Sequence, residues 1–504
     1  MIKKVLIANR GEIAVRVAAA CHQLGLRSVA VFSDVDRDAV HVSATDEALR
    51  IGPAPATQSY LDVAAIVAAA QQCGADAIHP GYGFLSENPA FAAACARASI
   101  AFIGPPAQVL ALVGDKVTAR RTVQAAGVPV VPGLFESTSD LAALERAATE
   151  LGPPLLIKAS GGGGGIGMRR VTDLSTLRAA LEAASAEAQA AFGKPELYCE
   201  KLLEQPRHVE VQILADQHGH VIALGERECS IQRRHQKLIE ESPSPAVDAD
   251  LRNALCAAAV QVARSAGYIG AGTVEFLLTA DRRFYFLEVN ARIQVEHGVT
   301  EARFGLDLVA WQLRIAQGEP LDPLLGQRTP LGWSMEARIY AEDPATGFLP
   351  SAGRIERLEL PAGPGIRVDT GVAAGSMVPL EYDPILAKVI AHADDRESCR
   401  RRLHAALGQT VVLGVASNAA FLRNLIDHPL FRQGALHTRL LDETIAADLA
   451  AVDPVAIEAA LIAAALELDA GRGSAEVGAS RQAMTAVAGP WQLLRGTFPT
   501  AGEP

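Results

Sequence analysis

The chain has 504 residues, a formal net charge of −11 and an apolar fraction of 49%. This length exceeds what a single hydrophobic core usually serves and predicts about three domains, while the acidic balance argues against nucleic acid as a bulk partner. Seven dispersed cysteines without a CxxC pair favour a reduced, cytoplasmic protein, and no apolar run is long enough to span a bilayer.

The N-terminal segment is predicted to be a parallel α/β domain. Residues 4–32 run from a short apolar stretch through a loop and an alanine-rich helical stretch to a second apolar stretch, which is a βαβ pattern. Two more such cycles follow, so residues 1–112 are expected to form an open parallel sheet with helices. The first turn, ANRGEIA, lacks GxGxxG, which argues against a nicotinamide site.

The remainder of the chain divides into three predicted parts. Residues 113–203 read as linker helices followed by a small α+β lid at about 131–203, and residues 204–446 read as a larger α+β region rich in alternating strands. The tail, 447–504, opens with an alanine-rich helical stretch. It is expected either to dock a partner or to cap the main domain.

The lid contains a glycine run, KASGGGGGIGMRR, at residues 158–170. Met168 and Arg169 stand where a Walker-A loop needs lysine and a hydroxyl, so this is not a P-loop. Bare backbone amides can instead cover phosphates, and Lys158 enters the run from a predicted strand, within reach of a phosphate. A flexible linker flanked by a solvated lysine is the alternative interpretation.

Two glutamates lie on a predicted hairpin, GTVEFLLTADRRFYFLEVN, at residues 272–290. With the turn at Asp281–Arg282, Glu275 stands opposite Glu288 and the two charges repel. A divalent cation between them would make the arrangement favourable, whereas a solvated surface pair is the alternative.

The segment after the hairpin continues the polar alternation. If the chain stays extended, one face presents Glu288, Asn290, Arg292, Gln294 and Glu296, while Ala291, Ile293 and Val295 pack inward. That face combines metal ligands, an anion-binding arginine and a carboxylate base.

With these residues in view, the chain resembles the biotin carboxylase subunit of biotin-dependent, acyl-CoA type carboxylases, an ATP-grasp enzyme. The resemblance covers residues 1 to about 446. The matching segments, in family order, are IANRGEIAVR, HPGYGFLSEN, GDK at 114–116, KASGGGGGIGMR, EKLLEQPRHVE, ERECSIQRRHQK, GTVEF, EVNARIQVEH, EARIYAEDP and YDPILAK.

The resemblance implies an ATP-grasp fold with an N-terminal parallel α/β domain, a small lid and a larger C-terminal α+β domain. It implies that ATP, with Mg²⁺ or Mn²⁺, phosphorylates bicarbonate to carboxyphosphate. The carboxyl group then passes to N1 of biotin on a carrier protein. A separate carboxyltransferase and a homodimer or larger complex are further implied, with no nucleic acid and no membrane as partner.

The resemblance also assigns site residues. Lys116 and Lys158 hold ATP phosphates beneath Gly163, Gly164 and Gly165; Glu200, Lys201 and Leu203 lie towards adenine; His208, Gln232 and His235 lie towards ribose and phosphate. Glu275, Glu288 and Asn290 bind the metal ion, and Lys237, Arg292, Gln294 and Val295 surround bicarbonate. Glu296 is the general base, and Arg338 stabilises the biotin enolate. A cross-strand salt bridge is the purely structural alternative for Arg338.

Two departures leave the final carboxyl acceptor open. Ile166 stands where acyl-CoA members usually carry a basic residue after the glycines, and Gly298 replaces a common proline. Both features resemble the urea carboxylase branch, whereas EARIYAEDPATGFLPSAGRI and PWQLLRG resemble the acyl-CoA branch. No lysine follows Lys388, so biotin is expected on a separate carrier and not on this chain.

Two rival functions also stay open at this point. One is another ATP-grasp ligase that works through an acyl phosphate, and the other is a non-catalytic nucleotide-binding subunit.

Overall fold

The computed structural model describes residues 2–134, 137–160, 167–322 and 324–445, together with residue 462. The chain divides into two units, Met1–Leu449 and Ala450–Pro504, and the first contains the sheets that position the candidate site. The predicted tail, 447–504, lies outside the described residues except for residue 462. Among the described residues, no helix combines the length and apolar character that crossing a bilayer requires.

The N-terminal domain is an open parallel sheet with the strand order β3-β2-β1-β4-β5. Its elements are β1 (Lys4–Ile7), α1 (Gly11–Gln23), β2 (Arg27–Ser33), α2 (Val40–Ser43), β3 (Glu47–Gly52), α3 (Val63–Cys73), β4 (Ala77–His79), α4 (Pro89–Arg97) and β5 (Ala101–Phe102). Helix α3 begins after Asp62, whose side chain accepts a hydrogen bond from the Ala65 amide, and ends before Gly74 in the left-handed conformation. The parallel sheet predicted from the βαβ pattern is confirmed.

A small antiparallel sheet follows three helices. These elements are α5 (Ala107–Gly114), α6 (Lys116–Ala125), α7 (Leu141–Leu151), β6 (Leu155–Ala159), β7 (Arg169–Val171), α8 (Leu177–Phe192) and β8 (Leu197–Lys201). The strand order is β7-β6-β8, and the apolar side chains of β6 and β8 pack with those of α7 and α8. The glycine run lies between β6 and β7, so the small sheet carries it, as the lid prediction requires.

The body is an eight-stranded antiparallel sheet with the order β13-β12-β9-β10-β11-β14-β21-β19. Its first elements are β9 (Arg207–Ala215), β10 (Val221–Arg233), β11 (Gln236–Ser242), α9 (Ala249–Ala266), β12 (Gly270–Leu278), β13 (Phe284–Asn290), α10 (His297–Phe304), α11 (Leu308–Ala316) and β14 (Trp333–Tyr340). The short strands that follow are β15 (Glu342–Asp343), β16 (Leu349–Pro350), β17 (Gly353–Arg354), β18 (Arg357–Glu359), β19 (Ile366–Thr370) and β20 (Met377–Val378). The last elements are β21 (Ile385–Ala393), α12 (Arg396–Gln409), β22 (Val411–Leu413), α13 (Ala419–Asp427), α14 (Pro429–Arg432) and a π-helical turn at Leu441–Ile445.

The central strands of this sheet are buried on both faces, and the two faces differ in character. In β9, Val209, Val211 and Ile213 pack into an apolar core with α9, while the alternate residues Glu210 and Gln212 are buried in polar contacts on the opposite face. Side chains of a strand alternate between faces, so a VEVQI pattern places its polar residues together. The polar face of the body sheet therefore gathers buried charges. The domain limits predicted at 112, 203 and 446 stay predictions.

Candidate active site

A cavity of about 650 Å³ opens between the small sheet, the body sheet and the start of α6. Its walls include every site residue that the sequence predicts within the described part of the chain. These are Lys116, Lys158, Glu200, Lys201, Leu203, His208, Gln232, His235, Lys237, Glu275, Glu288, Asn290, Arg292, Gln294, Val295, Glu296 and Arg338. Gly163, Gly164, Gly165 and Ile166 lie outside the described residues.

Lys158 lies at one end of the cavity in a buried ion-pair cluster. It leaves strand β6 and pairs with Glu200 of β8, which also pairs with Arg120 of α6. Burial lowers the pKa of the Lys158 ammonium, and Glu200 works against that effect. Glu200 was expected towards adenine, and in the structure its carboxylate joins two cations at the wall of the cavity.

Arg120 is a residue that sequence reasoning missed. It lies one turn after Lys116 on α6, at the i, i+4 spacing that puts two side chains on one helix face. That spacing was a usable signal, because Lys116 was already a candidate.

Four further candidate residues line the side of the cavity expected to receive the rest of the nucleotide. The Lys201 ammonium donates to the carbonyl oxygens of Gly152 and Pro153 at 2.9 and 3.3 Å, so it ties β8 to the loop before β6. His235 lies in the turn between β10 and β11, where its φ is +67°. Gln232 is buried at the end of β10. Like Lys116 and Lys158, these residues line the cavity, and so does Leu203.

The two hairpin carboxylates stand side by side. Glu275 of β12 is directly opposite Glu288 of β13, which confirms the predicted register, and a bulge follows between Glu275 and Phe276. Glu275 contacts His208 Nε2 and Lys237 Nζ, each at 2.9 Å, whereas Glu288 has only Lys116 Nζ at 3.8 Å within the described part of the chain.

These residues fit a divalent cation. Burial would raise the pKa of Glu275, but Lys237 and His208 hold it well below its ordinary value, so this carboxylate is ionised. Partial burial and the charge of Glu275 raise the pKa of Glu288, whose side chain is still 39% exposed. A hard cation at the two carboxylates would remove that penalty, and the Asn290 amide oxygen beside them is a suitable third ligand.

A second cluster fills the other end of the cavity. Lys237 Nζ contacts Glu210 at 2.6 Å, Glu275 at 2.9 Å and Glu296 at 2.6 Å. Arg338 Nη2 contacts the other oxygen of Glu296 at 2.8 Å. Burial alone would raise the pKa of Glu296, but Lys237 and Arg338 hold it well below its ordinary value. The Glu296 carboxylate is therefore ionised at neutral pH and able to accept a proton.

The His208, Glu210 and Glu275 side chains also bring ligand atoms within 4.8 Å of one another, a grouping the sequence did not suggest. The Lys237 ammonium already lies against both carboxylates of that group. A second metal ion there would have to displace this ammonium.

The segment from Ala291 to Glu296 departs from the predicted extended chain. Strand β13 ends at Asn290, and the chain turns so that Glu296 directly precedes α10. His297 drives this turn, because its amide and its Nδ1 both contact the Gln294 carbonyl oxygen, the latter at 2.7 Å. The expectation of an extended segment was wrong, although Ala291 and Ile293 are buried as predicted. Val295, expected to pack inward, also lines the cavity.

Two further residues missed by sequence reasoning hold this segment. Glu87, from the HPGYGFLSEN motif, accepts hydrogen bonds from the Ala291 amide at 2.8 Å and from Arg292 Nε at 3.0 Å. Arg227 of β10 is fully buried and donates to Glu210 at 2.5 Å and to Gln294 at 2.8 Å. Arg227 pairs with Glu210 in the β9–β10 ladder, and the polar alternation of these strands was the signal for it.

Family models match three consecutive parts of the chain. The N-terminal domain of biotin carboxylase matches residues 1–110, and the ATP-binding domain of the carbamoyl-phosphate synthase L chain matches residues 115–324. The C-terminal domain of biotin carboxylase matches residues 336–443.

Individual relatives span the same region. A biotin carboxylase of Halalkalibacterium halodurans is 49% identical over 439 residues, which cover 87% of this chain and 97% of the relative. A pyruvate carboxylase subunit of Methanothermobacter thermautotrophicus is 46% identical over 443 residues, 88% of this chain and 90% of the relative.

A solved structure has the same fold. The biotin carboxylase domain dimer of the Hydrogenobacter thermophilus 2-oxoglutarate carboxylase, in complex with MgADP, ADP and bicarbonate, superposes with a TM-score of 0.86. It is 44% identical, and the match covers 90% of this chain and 99% of that one.

Proposed function

The chain belongs to the biotin carboxylase family and is an ATP-dependent biotin carboxylase, and from this premise we propose that it serves a multi-subunit carboxylase whose biotin sits on a separate carrier protein. The substrates are MgATP, bicarbonate and N1 of that biotin. The acceptor we favour for the second half-reaction is an acyl-CoA.

One observation supports the proposal above the others. A single cavity has lysines suited to phosphates at one end and, at the other, an ionised carboxylate between a buried ammonium and a buried guanidinium. Phosphorylation of bicarbonate and carboxylation of biotin both need developing charge to be stabilised away from water, and these buried charges can do so.

The residues divide the work as follows. Lys116 and Lys158 bind the phosphates, and Glu275, Glu288 and Asn290 hold Mg²⁺, which when bound offsets phosphate charge. Lys237, Arg292 and the Val295 segment orient bicarbonate, and Glu296 removes its proton. These assignments are proposals built on the positions of the side chains around the cavity.

Arg338 completes the site for biotin. A guanidinium next to the base can stabilise the enolate oxygen that forms when N1 of biotin loses its proton. Arg338 is buried and its Nη2 contacts Glu296, the proposed base, which supports this assignment.

The test is ADP release from MgATP and bicarbonate, with and without free biotin. We expect biotin to stimulate release and Glu296→Gln to abolish the stimulation. Bicarbonate-dependent release that ignores biotin would exclude this biotin carboxylase reaction, and the absence of any release would favour a non-catalytic subunit.

The acceptor and the assembly need a second experiment. Relatives include a pyruvate carboxylase subunit and a 2-oxoglutarate carboxylase domain, so 2-oxo acids are alternative candidates for the carboxyl acceptor. Urea is a third candidate, because Ile166 and Gly298 resemble the urea carboxylase branch. Affinity purification of the tagged chain with its native partners, followed by fixation of labelled bicarbonate into each acceptor, separates these. We expect an acyl-CoA product, a carrier and a carboxyltransferase in the preparation, and a homodimer of this chain by analogy with the dimer named for the 2-oxoglutarate carboxylase domain.

A further inference from the structure

Three buried carboxylates surround the guanidinium of Arg338, although the proposed chemistry uses only one. Nη2 of Arg338 lies 2.8 Å from Glu296 and 2.5 Å from Glu240. Glu336, two residues before Arg338 on β14, stands directly opposite Glu240 of β11 in the ladder. Glu240 and Glu336 are both fully buried. Carboxylates are rarely buried without a specific partner, so this arrangement needs an explanation.

The hydrogen bonding of the two additional carboxylates is incomplete. Within the described part of the chain, neither oxygen of Glu240 and neither oxygen of Glu336 has a hydrogen-bond partner. The contact between Glu240 and Arg338 has the distance of an ion pair without the alignment of a hydrogen bond. Nη2 of Arg338 instead donates to Glu296. Glu240 is thus placed to hold the guanidinium by charge from the sheet side.

The charges around Glu240 come from four strands and one loop. Lys237 lies on its own strand, Cys229 on β10, Glu336, Arg338 and Tyr340 on β14, Lys388 on β21, and Glu296 precedes α10. Lys237 is shared by three other carboxylates, and Lys388 is taken by Glu12 and Asp369. The cations available to Glu240 and Glu336 are therefore outnumbered.

The two carboxylates differ in protonation. Burial raises the pKa of Glu336 well above its ordinary value, which favours its neutral form. Burial also raises the pKa of Glu240, but Arg338 opposes it, and the result is about 7. Glu240 alone of this pair changes charge near neutral pH.

We propose that Glu240 is a positioning residue for the biotin half-reaction: its ionised carboxylate holds Arg338 towards the sheet, so that the guanidinium is shared between Glu240 and Glu296 and is not held by Glu296 alone. This inference rests on the proposed function. With Glu240 ionised, its attraction for Nη2 weakens the hold of Arg338 on Glu296, so that Glu296 can act on bicarbonate while Arg338 keeps its place for the biotin oxygen. With Glu240 neutral, Glu296 is the sole charged carboxylate that holds Nη2 among the described residues, and base and guanidinium restrain each other.

The test is Glu240→Gln, which keeps the size of the side chain and removes the charge. We expect kcat of biotin-dependent ADP release to fall by roughly tenfold or more, because one charge of a close buried ion pair is removed. KM for ATP and the slow biotin-independent release should stay within about twofold. The dependence of biotin-stimulated kcat on an ionisation near neutral pH should disappear from the variant.

Glu336→Gln is the matched control. Glu336 is as buried as Glu240 and stands opposite it, but the substitution replaces a carboxyl group whose raised pKa favours the neutral form. We expect kcat within about twofold of the wild type and an unchanged pH profile. Glu240→Asp, which restores the charge, should recover part of the lost rate.

The inference is overturned if Glu240→Gln lowers both rates equally, leaves the biotin-dependent rate unchanged, or behaves like Glu336→Gln. Should Glu240→Gln not fold, the same comparison is made on Glu240→Asp, where a selective loss supports the inference and an unselective loss overturns it. A wild-type protein without biotin stimulation would count against the proposed function instead.

Discussion

Two ion pairs, Lys116–Glu288 at the proposed phosphate end of the cavity and Lys237–Glu296 at the proposed bicarbonate end, hold their charges in different ways. At the phosphate end, the Lys116 and Glu288 side chains are 36% and 39% exposed and stand 3.8 Å apart. At the bicarbonate end, Lys237 and Glu296 are 13% and 2% exposed and touch at 2.6 Å. Water stabilises the first pair until a ligand arrives, whereas the second must be paired within the protein itself. Residues of the bicarbonate end should therefore support stability as well as activity.

Removing the Lys237 charge should have the largest effect on both stability and activity. Lys237→Met leaves Glu210, Glu275 and Glu296 close together without their shared cation, and breaking a buried pair in this way costs about 3–5 kcal/mol. We expect a clear fall in the thermal unfolding midpoint together with loss of bicarbonate-dependent ADP release. Lys194→Met, at an exposed position, is the control. Equal unfolding midpoints in the two variants would contradict the structural role of Lys237.

The second-largest expected effect is a pH dependence of stability caused by ionisation of Glu240. The folded-state pKa of Glu240 is raised from 4.5 to about 7, so its stabilising contribution is complete below 4.5 and is lost as pH rises through 7. Glu240→Gln cannot ionise, and its stability relative to the wild type should rise between pH 5 and pH 8, by on the order of 3 kcal/mol. Thermal melts of both proteins across that range measure the difference. A gap that stays constant with pH would mean that Glu240 does not titrate there.

Substitution of Lys116, at the proposed phosphate end, should weaken ATP binding and leave protein stability nearly unchanged. Lys116→Met removes a partly exposed charge and leaves no buried partner behind among the described residues, so the unfolding midpoint should stay near that of Lys194→Met. KM for ATP should rise by roughly tenfold, because a charged contact to phosphate is lost. A fall in stability as large as that of Lys237→Met would erase the distinction between the two ends.

The same contrast explains what could be predicted from sequence. The hairpin register that sets Glu275 opposite Glu288 depends on alternation and a polar turn within nineteen consecutive residues, all visible locally. The turn before α10 depends on a contact between the His297 ring and the Gln294 carbonyl oxygen. Alternation of polar and apolar residues does not predict such a contact. Glu240 and Glu336 lie on strands that are distant in sequence, so their juxtaposition required the sheet order. Motif resemblance selected the residues that we propose to contact ligands, but not Arg120, Arg227 or Glu240, which contact those residues.

Substitution of Glu87, another supporting residue, should have the smallest effect. Glu87 belongs to the N-terminal domain and is 204 residues from Ala291 along the chain. Its carboxylate accepts hydrogen bonds from the Ala291 amide and from Arg292, and so holds Arg292 in place. Glu87→Gln can still accept from the amide but loses its charge, so we expect KM for bicarbonate to rise about threefold to fivefold, equivalent to about 1 kcal/mol. Glu150→Gln, at an exposed position on α7, serves as the control. Since Glu87 acts on Arg292 and not on the nucleotide lysines, KM for ATP should not change. A parallel rise in both constants would show that Glu87 acts through the general fold of the cavity and not through the arginine it contacts.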